Sequence, residues 1–304
     1  MPRKAAREKI MNSVIRAAAG ALLVLASASA ARATVFASQV ISYDPGTATT
    51  TDPTYTTASS ALGAPDGITG IPEGFPNVLS PFSPAYDPDQ IVVIGEGGEL
   101  TLKFPQPVFV GTGPAIGVIS NAGLIDTNYP NGDVGSPAGT FGGGSAIVSV
   151  SQDGTHFVSL GVQQFLNPAN YYLNAGPYDD IAPSSPELAN FGQPFTGTVA
   201  SFDGDDYPQI LSTLDGSGGG TWLNLSGTGL TQVNYIQFSV PTDGTGISGT
   251  NGTRLPIDAV AIADGHLSGT IPVPIPSGLQ MAIAGLLSLT AARWTRSRLS
   301  PSQV

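Results

Sequence analysis

Glycine and proline punctuate this chain too often for long helices to form. Its 304 residues include 39 Gly and 26 Pro, and both residues interrupt helices and favour turns. The stretches between the breaks read as short strands. Residues 99–104 (ELTLKF) alternate, with Leu100, Leu102 and Phe104 on one face and Thr101 and Lys103 on the other. Residues 146–151 (AIVSVS) and 156–162 (HFVSLGV) flank Gln152-Asp153-Gly154-Thr155, where the Asp-Gly step predicts a hairpin. Residues 235–240 (YIQFSV) turn Ile236, Phe238 and Val240 inward, and residues 256–263 (PIDAVAIA) predict a final strand. The best helix is 208–214, with Asp205 or Asp206 at its cap, Pro208 early and Gly216 past its end. Short strands at turn-separated spacing predict an all-β sandwich or jelly roll with long loops and one or two short helices.

Charge divides the chain. Between residues 34 and 270 Lys103 and Arg254 are the only Lys or Arg, against 21 acids, so this part carries about −19 while the whole chain carries −11. Such a surface repels phosphate backbones and excludes nucleic acid as a partner. Polyanions are disfavoured too, unless a divalent cation bridges them. There is no Cys, which removes disulfide scaffolds, thiol catalysis and thiolate zinc sites.

The basic residues gather at the ends. Residues 1–16 are basic, residues 17–26 (AAAGALLVLA) are apolar, and a small-residue stretch ends Ala31-Arg32-Ala33. That layout predicts a secretory signal helix over 1–33, cleaved after Ala33. At the other end Pro272, Pro274 and Pro276 enforce an extended entry, and residues 277–292 are uncharged and mostly apolar. Arg293, Arg296 and Arg298 follow, with Trp294 among them. At about 1.5 Å per residue the apolar run reaches roughly 24 Å, slightly short of a hydrocarbon core of about 30 Å. It predicts a C-terminal transmembrane helix within 271–304, with its arginines cytoplasmic and the acidic domain outside.

The order of Pro motif (Val273-Pro274-Ile275-Pro276-Ser277), apolar span and Arg cluster resembles the PEP-CTERM sorting signal of diderm bacteria that make exopolysaccharide. The family has Glu where this chain has Ile275, and six residues trail Arg298. The resemblance implies recognition by a sorting protease of the exosortase type. It also implies transient membrane anchoring through the C-terminal helix and cutting near Pro274, Pro276 and Ser277. Export to the cell surface or extracellular matrix would follow. A second resemblance runs along residues 36–264. Ala61-Leu62-Gly63-Ala64-Pro65-Asp66-Gly67, then IVVIGEGGELTLKFPQPV, the Asp-Gly hairpin, YIQFSV and IDAVAIAD form an ordered series. It looks like the discoidin or galactose-binding-like β-sandwich of bacterial surface proteins. Such sandwiches often carry a structural calcium near the early Asp-Gly loop, which implicates Asp66.

The chain offers little for catalysis. His156 and His266 have no metal-motif partner, and neither a nucleophile elbow nor a P-loop is present. Residues 34–270 contain four Glu (Glu73, Glu96, Glu99 and Glu187), and no motif pairs them as a glycosidase would require. Asp203, Asp205 and Asp206 cluster around Gly204 and suit Ca²⁺, although Asp205 and Asp206 also fit a helix cap. Trp222, the lone Trp of this region, and Tyr171 and Tyr172 in a polar insertion are candidate platforms for sugar rings. The same insertion aromatics, with Tyr178, Phe191 and Phe195, would also suit a satellite core. Three functions remain open: a non-catalytic surface module that interacts with exopolysaccharide or matrix glycans, an acidic structural matrix protein without a specific ligand, and a polysaccharide-acting hydrolase.

Overall fold

Alternation of apolar and polar residues sorts most of the strands into two antiparallel layers. A computed structural model of the chain describes residues 33–242, 248–249 and 252–267. The predicted signal segment up to residue 32 lies outside them, as does the sorting tail with Pro274, Pro276, Ser277, Arg293, Arg296 and Arg298. The chain opens with β1 (Val35–Phe36), β2 (Gln39–Asp44), a helical turn α1 (Ala48–Thr51), β3 (Ile68–Thr69) and β4 (Asn77–Val78). Next come β5 (Val92–Gly95), β6 (Glu99–Phe109), β7 (Pro114–Ile119), β8 (Gly123–Leu124) and β9 (Thr140–Phe141). The hairpin strands β10 (Gly144–Ser151) and β11 (Phe157–Phe165) follow. A long insertion with helix α2 (Tyr207–Leu214) then leads to β12 (Thr221–Asn224) and β13 (Gln232–Ser239). Last are β14 (Ser248–Gly249), β15 (Gly252–Ile257) and β16 (Ala259–Ile262).

One layer has the order β11-β10-β13-β6-β2, the other β1-β16-β7-β12, and a three-stranded sheet β14-β15-β5 stands beside them. Register aligns the inward residues. Ile236 and Phe238 of β13 face Leu102 and Leu100 of β6, and on the other side Val150 and Val148 of β10. These side chains are buried together with Ile116, Val118, Leu223, Val260 and Ile262 from the second layer, so one core joins both sheets. Phe165 meets Phe238 edge to face, with centroids 5.9 Å apart, in the middle of that core. No helix among the described residues is long and apolar enough to cross a membrane.

Two sequence expectations change. The stretch 256–263 is two strands, because the chain breaks at Asp258. β15 pairs with β5, whereas β16 pairs with β7 in another sheet. The helix begins at Tyr207, one residue earlier than predicted, with Asp206 as its cap. The Asp206 carboxylate accepts from the Gln209 backbone N–H at 3.0 Å, and Gln209 Oε1 accepts from the Asp206 N–H at 2.9 Å. This reciprocal pair satisfies N–H groups that the first turn leaves orphaned. Asp215 ends the helix in the left-handed region at φ 50°, ahead of Gly216.

The insertion between β11 and β12 packs on its own aromatic residues. Phe195 stacks on Phe202 at 5.3 Å, and Ile210 and Leu214 of α2 join them in one cluster with Phe82, Leu124 and Tyr207. Burying a large apolar side chain contributes about 1.5–3 kcal/mol, enough to order a loop rich in Pro and Gly. Phe238→Ala is expected to lower unfolding free energy by about 3–5 kcal/mol in urea titration. Ile181→Ala, at a side chain 73% exposed, is expected to stay within about 0.5 kcal/mol. Equal losses at both positions would refute this placement of the core.

Candidate functional site

Trp222 stands where the insertion meets the sandwich. It lies on β12, the edge strand of the second layer, directly opposite Gly117 of β7. A methyl group on Gly117 would come 2.7 Å from the indole, so glycine there lets the ring lie against the sheet. The indole N–H donates to the Gly219 carbonyl at 2.9 Å, which fixes its orientation. The ring is half-buried and packs against two apolar clusters, one that joins Phe191 to Ile119 and Ala261 of the sheet and one that holds Phe195 and α2.

Two clefts open beside this ring, of about 490 and 510 Å³. The first runs between β11 and β12 and is lined by Ser159, Leu160 and Gln163 on one strand, Leu223 and Asn224 on the other, and the Ser226-Gly227-Thr228 turn. The second is lined by Pro114, Gln164, Leu166, Asn167, the 195–200 segment and Thr221. Trp222 belongs to both. Neither contains a charged residue, whereas three smaller clefts of about 180 to 400 Å³ all carry at least one carboxylate. Part of the polar lining is held inside the fold: Gln163 donates to the Leu160 carbonyl and Asn167 to the Gly197 carbonyl. Among the described residues the side chains of Gln164, Thr196 and Thr221 have no hydrogen-bond partner, so they can meet a ligand.

Tyr171 and Tyr172, the other candidate sugar platforms, line neither of these clefts. Their rings pack edge to face at 4.8 Å, and Tyr172 is buried against Val78 and Ala175. Both press on Gly67, where a methyl group would come 2.5 Å from the Tyr172 hydroxyl. They buttress the Asp66-Gly67 turn.

The predicted acidic triplet is also dispersed. Asp206 caps α2, Asp203 accepts from the Ala138 N–H at 2.7 Å, and Asp205 accepts from the Thr213 hydroxyl at 3.3 Å. Among the described residues no three His, Cys, Asp or Glu side chains converge as a ready metal cage. Each aspartate thus has its own partner, and only Asp206 serves the N–H groups at the start of the helix.

Asp66 stands differently. It lines a cleft of about 400 Å³ with Asp87 and Asp89. Burial, then the nearby Asp89 charge, raises its pKa against a hydrogen bond from Gln90 that lowers it. Asp258, at the break between β15 and β16, is 3% exposed, and its Oδ2 has no hydrogen-bond partner. Burial, then the Asp66 charge, pushes Asp258 well above the ordinary carboxylate range. Asp87 rises to about 6, through burial first and a hydrogen bond with Glu73, while the Gly70 N–H opposes the shift. A buried carboxyl with an unpaired oxygen, within reach of the Asp66 charge, has the chemistry of a ligand for a hard divalent cation such as calcium, although among the described residues no third carboxylate converges with them. Asp66 and Asp258 would supply two of its usual six to eight oxygens. A cation there would supply the positive charge that these neighbouring acids lack. Sequence reasoning pointed to Asp66 and missed Asp258, which reads as an ordinary strand residue until the break is seen.

Without calcium, the folded chain holds protons on Asp87 and Asp258 that the unfolded chain releases. Stability is therefore expected to fall as pH rises from about 4 through about 6. Asp258→Asn is expected to raise the melting temperature in EDTA at neutral pH. Millimolar calcium is expected to stabilise the natural protein and not this variant. A melt of the natural protein that ignores calcium would remove the cation reading.

No protein-family model matches this sequence, and no curated protein matches it.

Proposed function

We propose that this chain is an exported, non-catalytic surface or matrix module with a galactose-binding-like sandwich, and that it binds uncharged sugar faces of exopolysaccharide beside Trp222. The observation that carries the proposal is the absence of charge along the two clefts beside Trp222 in a strongly acidic domain. Sugars present an apolar ring face bordered by hydroxyls. A half-buried indole matches the face, and amide and hydroxyl side chains such as Gln164, Thr196 and Thr221 match the rim. An acidic domain avoids anionic polymers by Coulomb repulsion, so a neutral groove marks where a matrix polymer can approach.

The non-catalytic part rests on the carboxylates. Glycoside hydrolysis uses two of them across the bond, at least about 5 Å apart. Neither cleft is lined by one. The export route rests on the terminal segments: a signal peptide cleaved after Ala33, then sorting through the Pro motif, span and arginines by an exosortase-type protease.

Glycan-array binding tests the ligand. The natural protein is expected to retain neutral glycans with or without EDTA. Trp222→Ala is expected to lose at least about tenfold in affinity, or about 1.4 kcal/mol, and Trp222→Phe to keep part of it. No binding in either condition would overturn the glycan proposal. The intact mass of the secreted protein tests the route: it is expected to lack residues 1–33 and the arginine cluster, and retention of Arg293, Arg296 and Arg298 would contradict processing.

A further inference from the structure

The two clefts beside Trp222 share that residue as a wall and lie at the edges of the two sheets. β11 ends the five-stranded layer and β12 ends the four-stranded layer, and the first cleft runs between them. The second is lined by Gln164, Leu166 and Asn167, next along the chain after the β11 residues of the first, by Thr221 on the other side of Trp222 in β12, and by the 195–200 segment. Both clefts are open to solvent. Each cleft by itself is within the range of about 300–1,000 Å³ that encloses a small ligand.

We infer that the groove takes an internal stretch of an uncharged polysaccharide, threaded along the β11–β12 seam so that consecutive sugars fill both clefts and one ring rests on Trp222. This rests on the glycan proposal and adds the mode of recognition. Asn224 serves only the first cleft, and Gln164 and Thr196 serve only the second. All three are exposed, so replacing them leaves the core intact. The edge of β12 away from β7 would also suit an extended peptide through main-chain hydrogen bonds, an outcome that calorimetry separates from sugar binding. The first cleft is mostly polar and the second mostly apolar, with Phe195, Leu166 and Val199 beside the indole, and neither is lined by a charged side chain.

Calorimetry with size-fractionated neutral gluco- and galacto-oligosaccharides, from disaccharide upward, tests the inference on the intact protein. Affinity is expected to climb with length until both clefts are filled, by about tenfold or more in total, and then to level off. Asn224→Ala and the double variant Gln164→Ala, Thr196→Ala are each expected to weaken the longest oligosaccharide several-fold. Each is also expected to bring the plateau to a shorter length. Equal affinity for the shortest and longest sugars would overturn the threaded mode and leave glycan binding standing. Failure of every sugar would overturn both, as would saturable binding of an extended polypeptide such as casein with no response to sugars. Preference for a uronate polymer over neutral glycans would also contradict the neutral groove.

Discussion

The indole of Trp222 seated against Gly117 is the contact on which the rest of this molecule hangs. It fastens the edge strand β12 to β7 and touches two apolar clusters, each with residues of the insertion. It also forms the wall between the two uncharged clefts. A larger residue than glycine at position 117 would push the ring away from the sheet. The clefts and the packing of the insertion would then change together. A single contact thus links the core of the sandwich to the surface proposed to be functional.

The acids follow a complementary logic. With Lys103 and Arg254 as its only Lys or Arg side chains, the domain cannot neutralise its carboxylates by ion pairing alone. Asp52 takes Arg254, while Lys103 lies over the Tyr235 ring at 5.5 Å. Many of the remaining acids accept backbone N–H groups instead. Asp153 accepts from Thr155 and His156 in the hairpin turn, Asp126 accepts from Asn128 and Gly132, and Asp206 caps α2. Aspartate is here a turn-forming residue, which explains why so acidic a chain is also so rich in Gly and Pro. Asp258 is the exception: a buried carboxyl with an oxygen left unpaired, and therefore the best reason to look for a cation.

Strands with strict alternation were legible from the sequence, because one buried face imposes a period of two. Leu100, Leu102, Phe104, Ile236 and Phe238 are all buried as that period requires. The hairpin was legible from its Asp-Gly turn, and α2 from its cap. The division of 256–263 was not legible. A continuous apolar run carries no mark of where the chain leaves one sheet for another, and only the pairing partners reveal it. The groove was hidden for a related reason. Its walls come from residues near 114, 160, 197 and 224, and no local pattern announces that topology will place two edge strands side by side. Trp222 was visible as a lone aromatic residue. Tyr171 and Tyr172 looked equally suitable in sequence, and burial against Gly67 alone separates them.

Trp222 also reports directly on the central claim. The chain has only two Trp, so the indole N–H resonances of the ¹⁵N-labelled protein can be assigned with a single Trp222→Phe variant. Titration with a neutral polysaccharide is predicted to shift the Trp222 resonance in a saturable manner. Saturable binding that leaves this resonance unmoved would contradict a sugar site at the indole.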